Sequence, residues 1–260
     1  MKLPLFQIDA FTSHVFAGNP AAVCPLEAWL DDFRLQAIAA ENNLSETAFL
    51  VRTEAHYQIR WFTPVQEVDL CGHATLAAAF VVFHCLEPGR QAVCFASKSG
   101  WLPVEQQGDR LLMKFPVQQP QACSAPADLV AGLRLQPREV FLAQKYLAVY
   151  DSEDEVRTLQ PDFELLKQLD CLGVIVTAPG KKPIDFVSRF FAPRVGIPED
   201  PVTGSAHCTL VPYWSNRLGK TQLQALQVSR RGGELFCEQL EDQVIIAGQA
   251  VKYLEGMIYL

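Results

Sequence analysis

Arg60-Trp61-Phe62-Thr63-Pro64, with Cys71-Gly72-His73-Ala74 close behind it, returns later in the chain as Arg189-Phe190-Phe191-Ala192-Pro193 and Thr203-Gly204-Ser205-Ala206. A third block, Ser97-Lys98-Ser99-Gly100, has its counterpart in Ser229-Arg230-Arg231-Gly232, at the same distance from the glycine turn. Three blocks in one order read as an internal duplication, and a duplication decides architecture before any single element does. Each copy runs strand, Arg-aromatic-Phe-x-Pro, acidic loop, glycine turn and helix. In the first copy the helix from His73 to about Cys85 carries Leu76, Ala77, Ala78, Ala79, Phe80, Val81, Val82 and Phe83. It is apolar all round, so it must be buried on every side. A sheet wrapped around a central helix meets that demand. The expected fold class is α+β, with two pseudo-symmetric halves, each a mixed β-sheet around a central apolar helix. In the second copy Pro212 stands about two turns in, so a kinked or short helix is expected there.

The boundary between the copies falls in the stretch from Phe115 to Pro126, which is rich in Pro, Gln and Ser and lacks periodicity. The N-terminal half is therefore expected over 1–117 and the C-terminal half over 118–260, with the last strand, 247–260, returning to complete the first sheet. Leu5 to Phe11 reads as the opening strand, and Ala17-Gly18-Asn19-Pro20 as a turn. Asp31 or Asp32 starts a helix through about Asn42, and Asn42-Asn43 is suited to end it in a left-handed residue. Ser45–Val51 and Tyr57–Phe62 read as paired strands. Glu46 then stands at the mouth of a strand, just after a helix ends.

Composition narrows the function. Of 260 residues 49% are hydrophobic and 20% charged, which excludes a disordered or coiled-coil chain. A net charge of −7 with no basic stripe argues against nucleic acid or an anionic membrane as partner. The longest apolar run, Ala74 to Leu86, falls short of the ~20 residues of a bilayer span. Eight scattered cysteines without CxxC spacing, and no secretory leader, are expected to be reduced thiols of a cytoplasmic protein. No GxGxxG or Walker sequence is present, so no nucleotide cofactor is implied, and no set of His, Cys and Asp has established metal spacing.

The chemistry gathers at the glycine turns. A buried helix start has unsatisfied N–H groups and a partial positive charge, and Gly72 and Gly204 allow close backbone approach. If the copies face each other, both helix starts converge on one cleft suited to a carboxylate. Nearby titratable groups are Glu67, Asp69, Cys71 and His73 in the first copy, and Glu199, Asp200, Ser205 and His207 in the second. Glu46 lies among mostly apolar neighbours, where burial would poise it as a general acid or base. Cys71 at a helix start could be a thiolate or a small buried residue.

Phe6-Gln7-Ile8-Asp9-Ala10-Phe11-Thr12, Gly18-Asn19-Pro20-Ala21, Ser45-Glu46-Thr47-Ala48-Phe49, Phe62-Thr63-Pro64, Cys71-Gly72-His73-Ala74-Thr75 and Glu199-Asp200-Pro201-Val202-Thr203-Gly204-Ser205-Ala206 together resemble the phenazine biosynthesis PhzF-like family. The resemblance runs from residue 6 to about residue 235. It implies a diaminopimelate-epimerase-like fold and a cofactor-free isomerase acting on a small carboxylic acid, usually as a homodimer. By the same resemblance Glu46, His73 and Asp200 are the catalytic positions, and Gly72, His73, Gly204 and Ser205 hold the substrate carboxylate. The related diaminopimelate epimerases use two opposed thiols. Here Cys71 meets Thr203 in the repeat, and threonine cannot supply a proton at neutral pH. Two other classes stay open on the sequence: a cysteine-dependent racemase, epimerase or hydrolase using Cys71 with His73 or His207, and a non-catalytic small-acid binding protein.

Overall fold

Two units emerge in the computed structural model, which describes residues 1–260: Met1–Lys114 with Ala247–Leu260, and Phe115–Ile246. The first contains β1 (Lys2–Ala10), β2 (Asn19–Leu26), α1 (Asp32–Asn42), β3 (Glu46–Arg52), β4 (Tyr57–Phe62), β5 (Glu67–Val68), α2 (Gly72–Val81), β6 (Ala92–Ser97), β7 (Gly100–Gln107) and β8 (Arg110–Pro116). The chain's last strand, Ala250–Tyr259, lies antiparallel along β1. From there the sheet continues through β2, antiparallel to β1, then β3, parallel to β2, and β4, antiparallel to β3. β4 pairs in parallel with β6, and β6, β7 and β8 follow as antiparallel neighbours. A parallel pair needs a crossover, and α2 supplies it. Its residues from His73 to Ala79, and Val81, are buried, and it packs on β1, β2 and β3. A single π-helical turn, Val82–Leu86, extends it.

The short elements obey local chemistry. Asp31 caps α1 by accepting the Arg34 N–H at 2.9 Å, and Asn43 ends the helix with a φ of 49°. That is the left-handed ending the two asparagines lead one to expect. Gly18 has a φ of 66°, and a Cβ there would lie 2.2 Å from the Ala10 carbonyl oxygen, so no other residue fits the turn into β2.

The second unit contains β9 (Gln121–Ala122), α3 (Ala127–Leu133), β10 (Glu139–Leu142), β11 (Tyr146–Val149), α4 (Glu153–Thr158), α5 (Phe163–Leu166), β12 (Val174–Pro179), β13 (Phe186–Ala192), β14 (Ile197–Asp200), α6 (Gly204–Leu218), β15 (Gln222–Gln227), β16 (Gly233–Gln239) and β17 (Gln243–Gly248). β13 and β15 are parallel with α6 between them, repeating the β4–α2–β6 arrangement. The recurring arginines explain part of the repeat. Arg60 grips Glu67 through Nε and a terminal nitrogen at 2.7 and 2.9 Å, and Arg189 grips Glu199 in the same way at 2.7 and 3.0 Å. Those two acidic-loop carboxylates are thus occupied in holding each strand to its loop. Arg60, with help from Lys98, holds the Glu67 carboxyl down to about 2.

Pro212 does not shorten its helix: α6 is one continuous helix of 15 residues. The proline lacks the N–H that would reach the Cys208 carbonyl, and the Gln118 N–H takes that carbonyl instead at 3.0 Å. An interior proline loses one helical bond, and here the lost bond is replaced from outside the helix. No helix is long and apolar enough to cross a membrane.

Candidate active site

Three segments of the first unit deliver side chains to one buried corner. The end of α1 turns the chain so that β3 opens with Glu46, which is registered against Ala21 of β2. The Gly18 turn places Asn19 at the start of β2. Cys71 and His73 flank Gly72 at the start of α2, where the Thr75 hydroxyl donates to the Cys71 carbonyl at 2.6 Å. The Glu46 Oε2 lies 3.1 Å from the His73 Nε2. The His73 Nδ1 lies 3.2 Å from the Asn19 Nδ2 and 3.5 Å from the Cys71 Sγ. Glu46, Cys71, His73 and Asn19 are 8, 7, 5 and 0% exposed, so each charge or dipole acts here with little screening.

Burial and, behind it, the Glu46 carboxylate push the Cys71 thiol up to about 11, outweighing His73 and the Ala74 N–H, which pull it down. Cys71 therefore keeps its proton at neutral pH, and the thiolate possible at a helix start is not what this site makes. For His73, burial pulls the pKa down while Cys71 and Glu46 push it up, and the upward pull prevails, well above 6.5. With Cys71 a neutral thiol, Glu46 is the group responsible.

In the second unit, Asp200 is buried at the end of β14, and its Oδ2 accepts the Thr203 hydroxyl at 2.5 Å. Gln227, which is 0% exposed, ties this loop together. Its Oε1 accepts the Thr203 N–H at 2.9 Å, while its Nε2 donates to the Asp200 carbonyl at 2.8 Å and the Thr203 Oγ1 at 3.2 Å. Gly204 is buried and Ser205 exposed at the start of α6. His207 lies one turn on, its Nδ1 2.8 Å from the Thr203 carbonyl oxygen, and burial pushes its pKa down to about 4. It is a neutral core histidine.

Neither α2 nor α6 is capped by its own N-cap side chain, Cys71 in one and Thr203 in the other. The first-turn N–H groups of each helix, at Gly72 and His73 in one and at Gly204 and Ser205 in the other, are thus left without a side-chain cap. Asn19 and Gln227 were not among the candidate site residues of the sequence. Asn19 stands in a turn motif that explains itself by local conformation, and nothing marks its meeting with His73. Gln227 has no local signal beyond its place two residues before the third repeat block.

The Glu46, Cys71 and His73 donor atoms all lie within 4.8 Å of one another, a spacing a metal ion could use. The chemistry of the set points elsewhere. The thiol faces Nδ1 and the carboxylate faces Nε2, so the imidazole stands between them as a relay stands between proton donors and acceptors.

A family model described as phenazine biosynthesis-like protein matches residues 8–256. The chain is 53% identical to a protein of Pseudomonas aeruginosa named an uncharacterized isomerase, covering 100% of both. It is 47% identical to a PhzF family protein of Enterococcus faecalis whose crystal structure superposes with a TM-score of 0.97 over 100% of both chains. A predicted epimerase of Pseudomonas aeruginosa, 18% identical, shares the fold with a TM-score of 0.73 over 99% of each chain. The chain belongs to the phenazine biosynthesis-like family, has the diaminopimelate-epimerase-like fold, and is an isomerase.

Proposed function

We propose that this PhzF-like isomerase moves a proton between two carbons of a small carboxylic acid without a cofactor, and that Glu46 takes the proton and returns it. The observation that carries this reading is the buried pair, with the Glu46 Oε2 3.1 Å from the His73 Nε2. In the step, a substrate C–H bond breaks to Glu46, the electron pair spreads into the adjacent unsaturation, and a new C–H bond forms at another carbon. The redox state of the substrate does not change. His73 orients the carboxylate and balances its charge as the proton comes and goes.

Substrate holding falls to the N–H groups of Gly72 and His73 and, by their equivalence in the repeat, to Gly204 and Ser205. A helix N-terminus favours an anion by ~0.3–1 kcal/mol when exposed and up to ~2 kcal/mol when partly buried. Asp200, steadied by Thr203 and Gln227, is the second carboxyl group of the reaction. A homodimer, as the resemblance implies, and a cytoplasmic location, as the scattered cysteines suggest, belong to the same proposal. A thiol mechanism is disfavoured by the Cys71 thiol held at about 11 and by the threonine at its counterpart position.

The test is deuterium incorporation from heavy water into a panel of small unsaturated carboxylic acids and the corresponding amides. Carbon-bound deuterium is expected in at least one acid and not in its amide. Equal incorporation into acid and amide would contradict the carboxylate-holding role of the helix starts.

A further inference from the structure

The last strand, β18 (Ala250–Tyr259), is the longest in the fold. It lies along β1, whose other side is taken by β2, and no strand packs beyond it. The N–H and C=O groups on its outer side therefore have no strand partner. Edges are ordinarily kept short, covered or charged, because an open one pairs with another strand that meets it. This edge carries only Lys252 and Glu255 as charges. Eighteen large hydrophobic side chains are exposed in the molecule. Of these, Tyr253, Leu254, Met257 and Tyr259 lie on β18, Leu260 follows it, and Phe16 packs edge-on against Tyr253 with ring centroids 5.6 Å apart. A third of the exposed large apolar residues thus run along one strand, and a patch of that kind marks an interaction surface. The six side chains present roughly 600 Å², against the ~800 Å² that each partner buries in a standard interface.

The register of β18 says which strand fits. Ala250, Lys252, Glu255 and Met257 oppose Ala10, Ile8, Phe6 and Pro4, which are alternate residues of β1, so all four point to one face. A bulge makes this possible: Tyr253 is the extra residue where the pairing shifts between Gln7 and Ile8, and the Lys252 Nζ then lies 2.5 Å from the Glu255 Oε2. We infer that β18 is the dimer interface: its open edge pairs antiparallel with the β18 of a second copy about a twofold axis between Tyr253 and Leu254. The inference rests on the homodimer reading given above and names its surface. In that register Lys252 of each copy opposes Glu255 of the other, and Ala250 opposes Met257, so the two pleats match in an isologous contact. A slip of one residue sets side chains of opposite faces against each other. A slip of two sets each charge against an uncharged residue. Charge and pleat together select the one register.

Light scattering after gel filtration reads the mass of the full chain, and sedimentation equilibrium reads its dissociation constant. The wild type is expected at twice the 29.0 kDa of the chain. Lys252→Glu sets glutamate against glutamate twice across the axis and is expected to raise the dimer dissociation constant about tenfold, and Glu255→Lys does the same with lysines. The two exchanges combined restore both pairs and are expected to restore the dimer. The Lys252 and Glu255 side chains are 40 and 56% exposed, so the fold does not depend on either. In hydrogen exchange, the β18 amides that point away from β1 are expected to be slow in the wild type and fast in Lys252→Glu. An unchanged dissociation constant in both single variants, or fast outer amides in a dimeric wild type, overturns the inference and leaves the homodimer standing on another face. A monomeric wild type at micromolar concentration overturns the homodimer reading as well.

Discussion

His207 is charged in the unfolded chain at mildly acid pH and neutral in the folded one. Its Nδ1 donates to the Thr203 carbonyl at 2.8 Å, and burial holds its pKa down at about 4 against the small upward pull of that carbonyl. The unfolded value is about 6.5, so between the two values the unfolded chain binds the extra proton and the folded chain does not. The contribution of this group is complete above pH 6.5 and is lost as pH falls toward 4, by roughly 3 kcal/mol in all. Urea midpoints measured from pH 7 to pH 4 are expected to fall, and to fall less steeply in His207→Gln. An unchanged slope in that variant would contradict the assignment. The same residue shows a limit of sequence reading. As a histidine in a helix start, it stood beside Cys71 as a candidate for chemistry, and only its depth in the core makes it a packing residue.

At the scale of elements, the two copies of the repeat are alike in pattern and unequal in load. Arg189 reaches from β13 to Glu199 and also to the Val156 and Leu159 carbonyls at 3.1 and 2.9 Å, at the end of α4. Its side chain is 11% exposed. Arg60 pairs with Glu67 and with Asp32, and the Asp32 side chain is 78% exposed. Arg189→Leu leaves a carboxylate and two carbonyls without their partner, which costs about 3–5 kcal/mol when a buried pair is broken on one side. Arg60→Leu is expected to cost less, about 1–2 kcal/mol, because Lys98 still pairs with Glu67, the second partner Asp32 is open to water, and no backbone carbonyls are left behind. Urea unfolding of the two variants checks the order, and a larger loss for Arg60→Leu would contradict it. Much of this level was legible in the chain: the all-apolar helix after Gly72, the strand Tyr57–Phe62 and the left-handed end at Asn43 each follow from residue type and period. The length of α6 was not, because the bond that compensates Pro212 comes from Gln118, far away in sequence.

For the whole molecule, the duplication was the legible part. Arginine, aromatic, proline and glycine recur together because strand, ion pair, turn and helix start each need their own residue type. The pairing of particular groups was less legible. Glu67 and Glu199 look like site carboxylates in a linear reading and turn out to be gripped by the repeat arginines. Asn19 and His73 meet only because β2 and the start of α2 are brought together by the sheet. What the fold adds to the motifs is a buried carboxylate and imidazole 3.1 Å apart with a protonated thiol beside them. The most direct measurement is the rate of deuterium exchange into a responsive acid for Glu46→Gln and Cys71→Ala, compared with the wild type. Glu46→Gln is expected to lose ~10²-fold or more, the range of general acid–base catalysis, while Cys71→Ala keeps most of the rate. Loss of exchange in Cys71→Ala with Glu46→Gln near wild type would contradict the proton-transfer role of Glu46 and place the chemistry on the thiol.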